Sequence, residues 1–171
     1  MKKLFVIMLA VITVSAASAE GWNAGIRLGS GFQAQSAFSV CKSGAIEARF
    51  GMTWYYGTPI SADFQALYYF TDLFKTREGL FLDAGVGFAL GGRPGVEIDD
   101  IELPGITIPG ASTPGSMYYG VAPSVKFGYK FSNVPIKLAV DWSPVIGGVS
   151  NGGGYFTRGL ANVGLSCVYC F

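Results

Sequence analysis

The chain has no histidine, so it lacks the side chain that most often works as a general acid or base near neutral pH. Charge of either sign is scarce: 13% of the 171 residues are charged, and 12 Lys and Arg nearly cancel 11 Asp and Glu. That balance provides no basic surface for nucleic acid and no acidic tail for a cationic partner. Because 50% of the residues are hydrophobic, the same scarcity argues against disorder and for one folded unit. Cysteine is limited to Cys41, Cys167 and Cys170, an odd number with no histidines nearby, which argues against a metal site and leaves the thiols incidental. No cofactor is expected. Gly85-Val86-Gly87-Phe88-Ala89-Leu90 begins like a dinucleotide fingerprint, but its third glycine position is Leu90 and no helical pattern follows. Beyond the N-terminus there is no run of about 20 apolar residues, so a spanning helix is excluded.

What is present starts with a targeting pattern. Met1-Lys2-Lys3 is basic, Leu4 to Val14 is apolar, and Ala17-Ser18-Ala19 has the small-residue form that a signal peptidase cuts. The reading is a signal peptide over 1–19 and a single domain over 20–171, beginning at Glu20.

From there the dominant signal is a period of two, which puts successive side chains on opposite faces of a strand. In Ala45 to Tyr56 one face holds Ile46, Ala48, Phe50, Met52, Trp54 and Tyr56, while the other holds both charges, Glu47 and Arg49. The alternation recurs over Ile60 to Phe70, Leu80 to Leu90, Tyr119 to Phe131, Ile136 to Trp142 and Ala161 to Phe171, and more weakly over Trp22 to Gly31 and Ser36 to Lys42. Most of these eight segments approach the roughly nine to eleven residues that a tilted strand needs to cross a bilayer. An even number of such strands is the signature of an all-β, eight-stranded antiparallel up-and-down transmembrane barrel.

A soluble barrel also alternates, so the orientation of the faces must be decided. The charged face is sparse and rich in glycine, and it balances Arg27, Arg49, Lys126 and Lys137 against Glu47, Asp63, Asp83 and Asp141. Such a set suits an ion-paired lumen, because eight strands leave room for little more than side chains. Aromatic residues, 15% of the chain, bunch at Trp54-Tyr55-Tyr56, Tyr68-Tyr69-Phe70, Tyr118-Tyr119, and Tyr129 with Phe131, which read as girdles at the two membrane interfaces. Loop length then sets topology. The connections at 42–44, 71–79 and 132–134 are expected on the periplasmic side, and those at 32–35, 57–59, 91–117 and 147–157 outside. The third of these outer loops carries Glu97, Asp99, Asp100 and Glu102. Pro123 falls inside a predicted strand, where it cannot donate a ladder hydrogen bond and a closed barrel has no free edge. A bulge there, or a later strand start, is expected.

The last strand, with Val163, Leu165, Cys167, Tyr169 and the terminal Phe171 on one face, resembles the closing strand of outer-membrane proteins, which the barrel-assembly machinery reads during insertion. The chain after residue 19 resembles the small OmpA/OmpX-type class. The segments Gly79 to Gly87 and Val134 to Pro144 resemble a widespread group of uncharacterised outer-membrane β-barrels. The resemblance implies a monomer in the outer membrane of a Gram-negative cell, surrounded by its lipid, with no known reaction. It points to a barrel that supports the membrane or offers its outer loops for adhesion or recognition by an extracellular partner. A narrow, porin-like channel is the alternative. An outer-membrane enzyme acting on lipid is weaker still, because the inward carboxylates read better as structural ion pairs. No catalytic or metal-ligating residue is assigned.

Overall fold

The computed structural model describes residues 21–54, 61–74, 79–93, 95–98, 101–103, 106–108, 111–150, 155–158, 160 and 162–171. The stretch 1–19 expected to be a signal peptide, the loop expected at 57–59, and Tyr55, Tyr56, Asp99 and Asp100 lie outside the described residues. All regular structure among the described residues is β. The strands are β1 (Trp22–Leu28), β2 (Gly31–Cys41), β3 (Gly44–Thr53), β4 (Ser61–Phe70), β5 (Leu80–Arg93), β6 (Val96–Ile98), β7 (Ile101–Leu103), β8 (Ile106–Ile108), β9 (Ala111–Thr113), β10 (Ser116–Lys130), β11 (Ile136–Trp142), β12 (Val145–Val149), β13 (Tyr155–Arg158) and β14 (Val163–Cys170).

Antiparallel ladders join β1, β2, β3, β4, β5, β10, β11 and β14 in that order, and β14 pairs back onto β1. The result is a closed, eight-stranded up-and-down barrel. Following the ladders once around returns to β1 displaced by about ten residues, a shear that goes with the strong strand tilt of small barrels. One end, here the turn end, gathers Gly21, Phe171 and the connections at 42–43, 71–79 and 131–135. The other, the arm end, carries the hairpin at Gly29-Ser30 and a long excursion between β5 and β10.

Three expectations about the connections change. Residues 32–35 are not a loop, because β2 begins at Gly31 and pairs with β1 from Phe32 onward. Residues 147–157 hold most of a hairpin in which β12 pairs with β13. The excursion over 91–117 begins and ends inside the long ladder of β5 and β10, and two short ladders, β6 with β9 and β7 with β8, continue it as an arm. Glu97 lies on β6 and Glu102 on β7.

Pro123 sits in an unbroken register with β5, opposite Val86, so the expected bulge is absent and the strand begins earlier, at Ser116. The reason is the direction of the amides. Lys130 N donates to Gly79 O, and Phe131 N donates to Ile136 O, so odd-numbered residues of β10 turn their amides away from β5. Val125 pairs with Trp142 and Val121 with Ile146 in one common register, which puts Pro144 opposite Pro123. Ser143 N donates to Asn162 O, so position 144 faces back toward β10. Two residues without an amide hydrogen therefore meet across one rung, and neither leaves a partner's donor unanswered.

The faces are inverted relative to a soluble protein. Outward positions carry Ile26, Phe50, Met52, Val86, Phe88, Val121, Phe127, Val140 and Leu165, with Val121 53%, Phe127 55% and Leu165 55% exposed. Among the described residues of the eight barrel strands, no charged side chain shares that face. The buried inward set is instead mostly polar: Arg27, Gln33, Gln35, Glu47, Arg49, Asp63, Gln65, Ser124, Lys126, Asp141, Asn162 and Ser166.

Candidate functional site in the barrel lumen

Inward positions on neighbouring strands stack into layers across the lumen, so residues far apart in sequence meet there. Arg27 on β1 and Arg49 on β3 are both fully buried, at 0% exposure. Arg27 Nε donates to Asp141 Oδ1 on β11 at 2.7 Å, and Arg49 Nη1 reaches the same oxygen at 3.4 Å. Ser166 Oγ donates to the other carboxylate oxygen at 2.9 Å. Arg49 Nε donates to Glu47 Oε1 at 2.7 Å, and Lys126 Nζ to Glu47 Oε2 at 2.5 Å. Asp141 thus bridges two guanidiniums, and Glu47 bridges Arg49 to Lys126. A chain of charges results in which each ion has an opposite neighbour, the condition under which burial of charge is tolerated.

Asp63 has no ion pair within the described residues. It is held by neutral donors: Gln33 Nε2 at 2.5 Å, Gln65 Nε2 at 3.0 Å and Tyr118 Oη. Arg27 Nη1 donates to Gln33 Oε1 at 3.2 Å, so Gln33 relays between the cation Arg27 and the carboxylate of Asp63. With this link the described residues of the lumen include three buried cations, Arg27, Arg49 and Lys126, against three buried anions, Glu47, Asp63 and Asp141. The remaining lumenal charges foreseen from sequence, Asp83 and Lys137, face inward near the turn end, outside this core. Asp83 Oδ1 accepts from Asp72 N at 2.9 Å, and Lys137 Nζ lies 5.7 Å from the Phe81 ring centroid.

Two tyrosines assigned to the girdles turn inward instead. Tyr69 and Tyr118 are each 2% exposed. Tyr69 Oη accepts from Arg49 Nη2 at 2.7 Å and shares a 2.6 Å hydrogen bond with Ser124 Oγ, while Lys126 Nζ sits 4.7 Å from its ring centroid. The signal for this was parity: Tyr69 shares the face of Asp63 and Gln65, and Tyr118 that of Ser124 and Lys126. Gln33 and Gln35 were missed because their strand was drawn from Ser36. Asn162, next to the break between β13 and β14, accepts from Arg27 Nη2 at 3.1 Å and from Ser30 Oγ, and donates to Ser143 O at 2.7 Å.

Two inward glycines make room for this packing. A Cβ on Gly164 would stand 2.5 Å from the Arg27 guanidinium carbon, and one on Gly91 would stand 2.2 Å from the Tyr118 ring. Both separations are below any real contact, so a larger residue would displace a member of the network.

Toward the turn end the packed layers give way to a cavity of about 490 Å³, with Glu47, Tyr69 and Lys126 at its inner limit and Lys42, Lys130 and Lys137 among the residues that line it. The closing-strand residues Val163, Leu165, Cys167 and Tyr169 face outward on β14, with Phe171 immediately beyond it, and Tyr169 and Phe171 meet edge to face at 4.9 Å. The described residues include no cluster of metal-ligating side chains, and Arg27, Arg49, Lys126, Glu47 and Asp141 form mutual ion pairs. Compared with known protein families, with curated proteins and with solved structures, the chain matches none.

Proposed function

We propose that the protein is an integral barrel of a Gram-negative outer membrane, delivered there by its N-terminal signal peptide, with a packed lumen and a role in membrane structure or in recognition through its outer arm. One observation carries the reading: a belt of exposed Phe, Val, Leu, Ile and Met without a charge surrounds a core of buried ions. In water such a belt far exceeds the apolar patches that soluble monomers leave uncovered. In a bilayer it is the required surface, and a charge at its midplane would cost about 2 to 4 kcal/mol. The turn end then faces the periplasm and the arm of β6 to β9 faces outward.

Membrane fractionation combined with gel migration before and after boiling tests this reading. A folded barrel pelleting with the outer membrane and migrating differently when unheated is the expected result. A periplasmic protein with unchanged mobility would overturn it. The layer of Arg49, Glu47, Asp141 and Lys126 argues against a channel, since it fills the cross-section that a solute would need. Planar-bilayer recording should accordingly show no sustained, uniform current steps.

A further inference from the structure

The cavity at the turn end is an inward region that the ion network does not fill. Lys130 on β10 and Lys137 on β11 occupy directly paired positions of one ladder, and both line the cavity. Side chains opposed in this way have Cβ atoms roughly 4.5 to 5.5 Å apart, and like charges so placed destabilise the ladder. Neither ammonium has an ion pair among the described residues. The carboxylates lining the same cavity offset the repulsion only in part. Glu47 is paired with Arg49 and Lys126, and neither Asp72 nor Asp83, whose carboxylate also accepts from the amide of Asp72, makes a salt bridge to Lys130 or Lys137 among the described residues. Below the two lysines the wall becomes apolar at the inward Phe81 and Ala139. A volume of about 490 Å³ lies within the range of about 300 to 1,000 Å³ typical of small-ligand sites.

We propose that this cavity binds an amphiphilic anion, with a phosphate or carboxylate group bridging the ammoniums of Lys130 and Lys137 and an apolar body resting on Phe81 and Ala139. An anion between the two lysines turns a repulsive rung into a bridged one, which explains why a chain so poor in charge places two cations face to face there. The same chemistry is offered by the headgroup of an anionic phospholipid and by a soluble phosphate.

The test uses the purified protein folded in a maltoside detergent, titrated separately with dihexanoyl phosphatidylglycerol, inorganic phosphate and dihexanoyl phosphatidylcholine, and followed by calorimetry and backbone amide shifts. Saturable binding of the phosphatidylglycerol with shifts at Phe81, Lys130 and Lys137 is expected, at least tenfold weaker in the Lys130→Gln/Lys137→Gln double variant. Lys130→Arg/Lys137→Arg should keep binding. Lys137→Glu, which replaces repulsion by an ion pair, should abolish it while raising the unfolding midpoint. Phosphate bound as tightly as the lipid supports the site with a soluble anion as its source, and phosphate bound far more weakly supports it with a lipid source. Equal binding of phosphatidylcholine, unchanged binding by the double glutamine variant, or no binding of either anion overturns the proposal. Gel migration of each unheated variant reports the barrel separately, so loss of fold is not mistaken for loss of the site.

Discussion

Asp141→Asn changes one charge at almost constant shape, at the point where two buried guanidiniums meet. The native carboxylate accepts from Arg27 at 2.7 Å, from Arg49 at 3.4 Å and from Ser166 at 2.9 Å. The amide offers one oxygen and one NH₂ group in its place, and the NH₂ must point at a donor. The buried balance of three cations to three anions becomes three to two. Removing one partner of a buried ion pair costs about 3 to 5 kcal/mol, chiefly because the other charge is left uncompensated. For a domain of this size that corresponds to a fall of roughly 6 to 20 °C in unfolding temperature. The reasoning makes a second, sharper demand. Arg49→Met alone should cost a similar amount, but added to Asp141→Asn it removes the surplus cation, so the double variant should be less destabilised than the sum by about 0.5 to 3 kcal/mol. Urea unfolding of the barrel in phospholipid vesicles, with folded fraction read from the mobility of unheated samples, measures all three. A cost below about 1 kcal/mol for Asp141→Asn, or strict additivity, would refute the idea that charge balance governs the lumen.

Three further changes probe other parts of the structure. Val140→Arg puts a cation on the outward face beside Asp141 and should cost about 2 to 4 kcal/mol in vesicles; a variant that folds there as well as the native chain would contradict the membrane reading. Pro123→Val supplies an amide hydrogen facing Pro144 and should gain about 0.5 to 1.5 kcal/mol in the same urea titration, whereas a loss would show that the two prolines do not oppose each other. Gly164→Ala forces a methyl group against the Arg27 guanidinium and should destabilise by about 1 to 3 kcal/mol, with Gly164→Ser no better and a neutral outcome counting against the close approach.

The barrel was legible because its signals are local. Alternation in Ala45 to Tyr56 and in Ile136 to Trp142 needs no knowledge of partners, and Glu47 with Arg49 fixes the face that carries charge. The lumenal charges were legible for the same reason, since parity alone puts Arg27, Asp63 and Asp141 inside. Pairing was not, because it depends on register around the whole ring: nothing local distinguishes Asp141, shared by two arginines, from Asp83, which caps a backbone amide near the rim. Gln33 was hidden by a weak pattern. The run Phe32 to Gln35, between two weak alternations, reads as a loop, yet the two residues Gly29-Ser30 suffice for the turn. Pro123 misled for a deeper reason, because the residue that accommodates it, Pro144, stands on another strand and looks in isolation like an ordinary strand end. Tyr69 and Tyr118 were judged by residue type, which favours an interface, when their parity already placed them among the ions.

The ion pairs also constrain the order in which the molecule can be built. Arg27 lies 114 residues from Asp141, Glu47 lies 79 residues from Lys126, and Arg49 lies 92 residues from Asp141. A half-assembled sheet of β1 to β4 therefore holds Arg27 and Arg49 with Glu47 and Asp63, equal in number, but Asp141, the carboxylate that joins the two guanidiniums, is on a strand that has not arrived. In such a fragment Arg27 meets a carboxylate only through Gln33, so its charge would enter an apolar phase without a direct ion pair. Asp141 thus acts as a completeness check, supplying the direct partner of Arg27 once the last strands have joined the first.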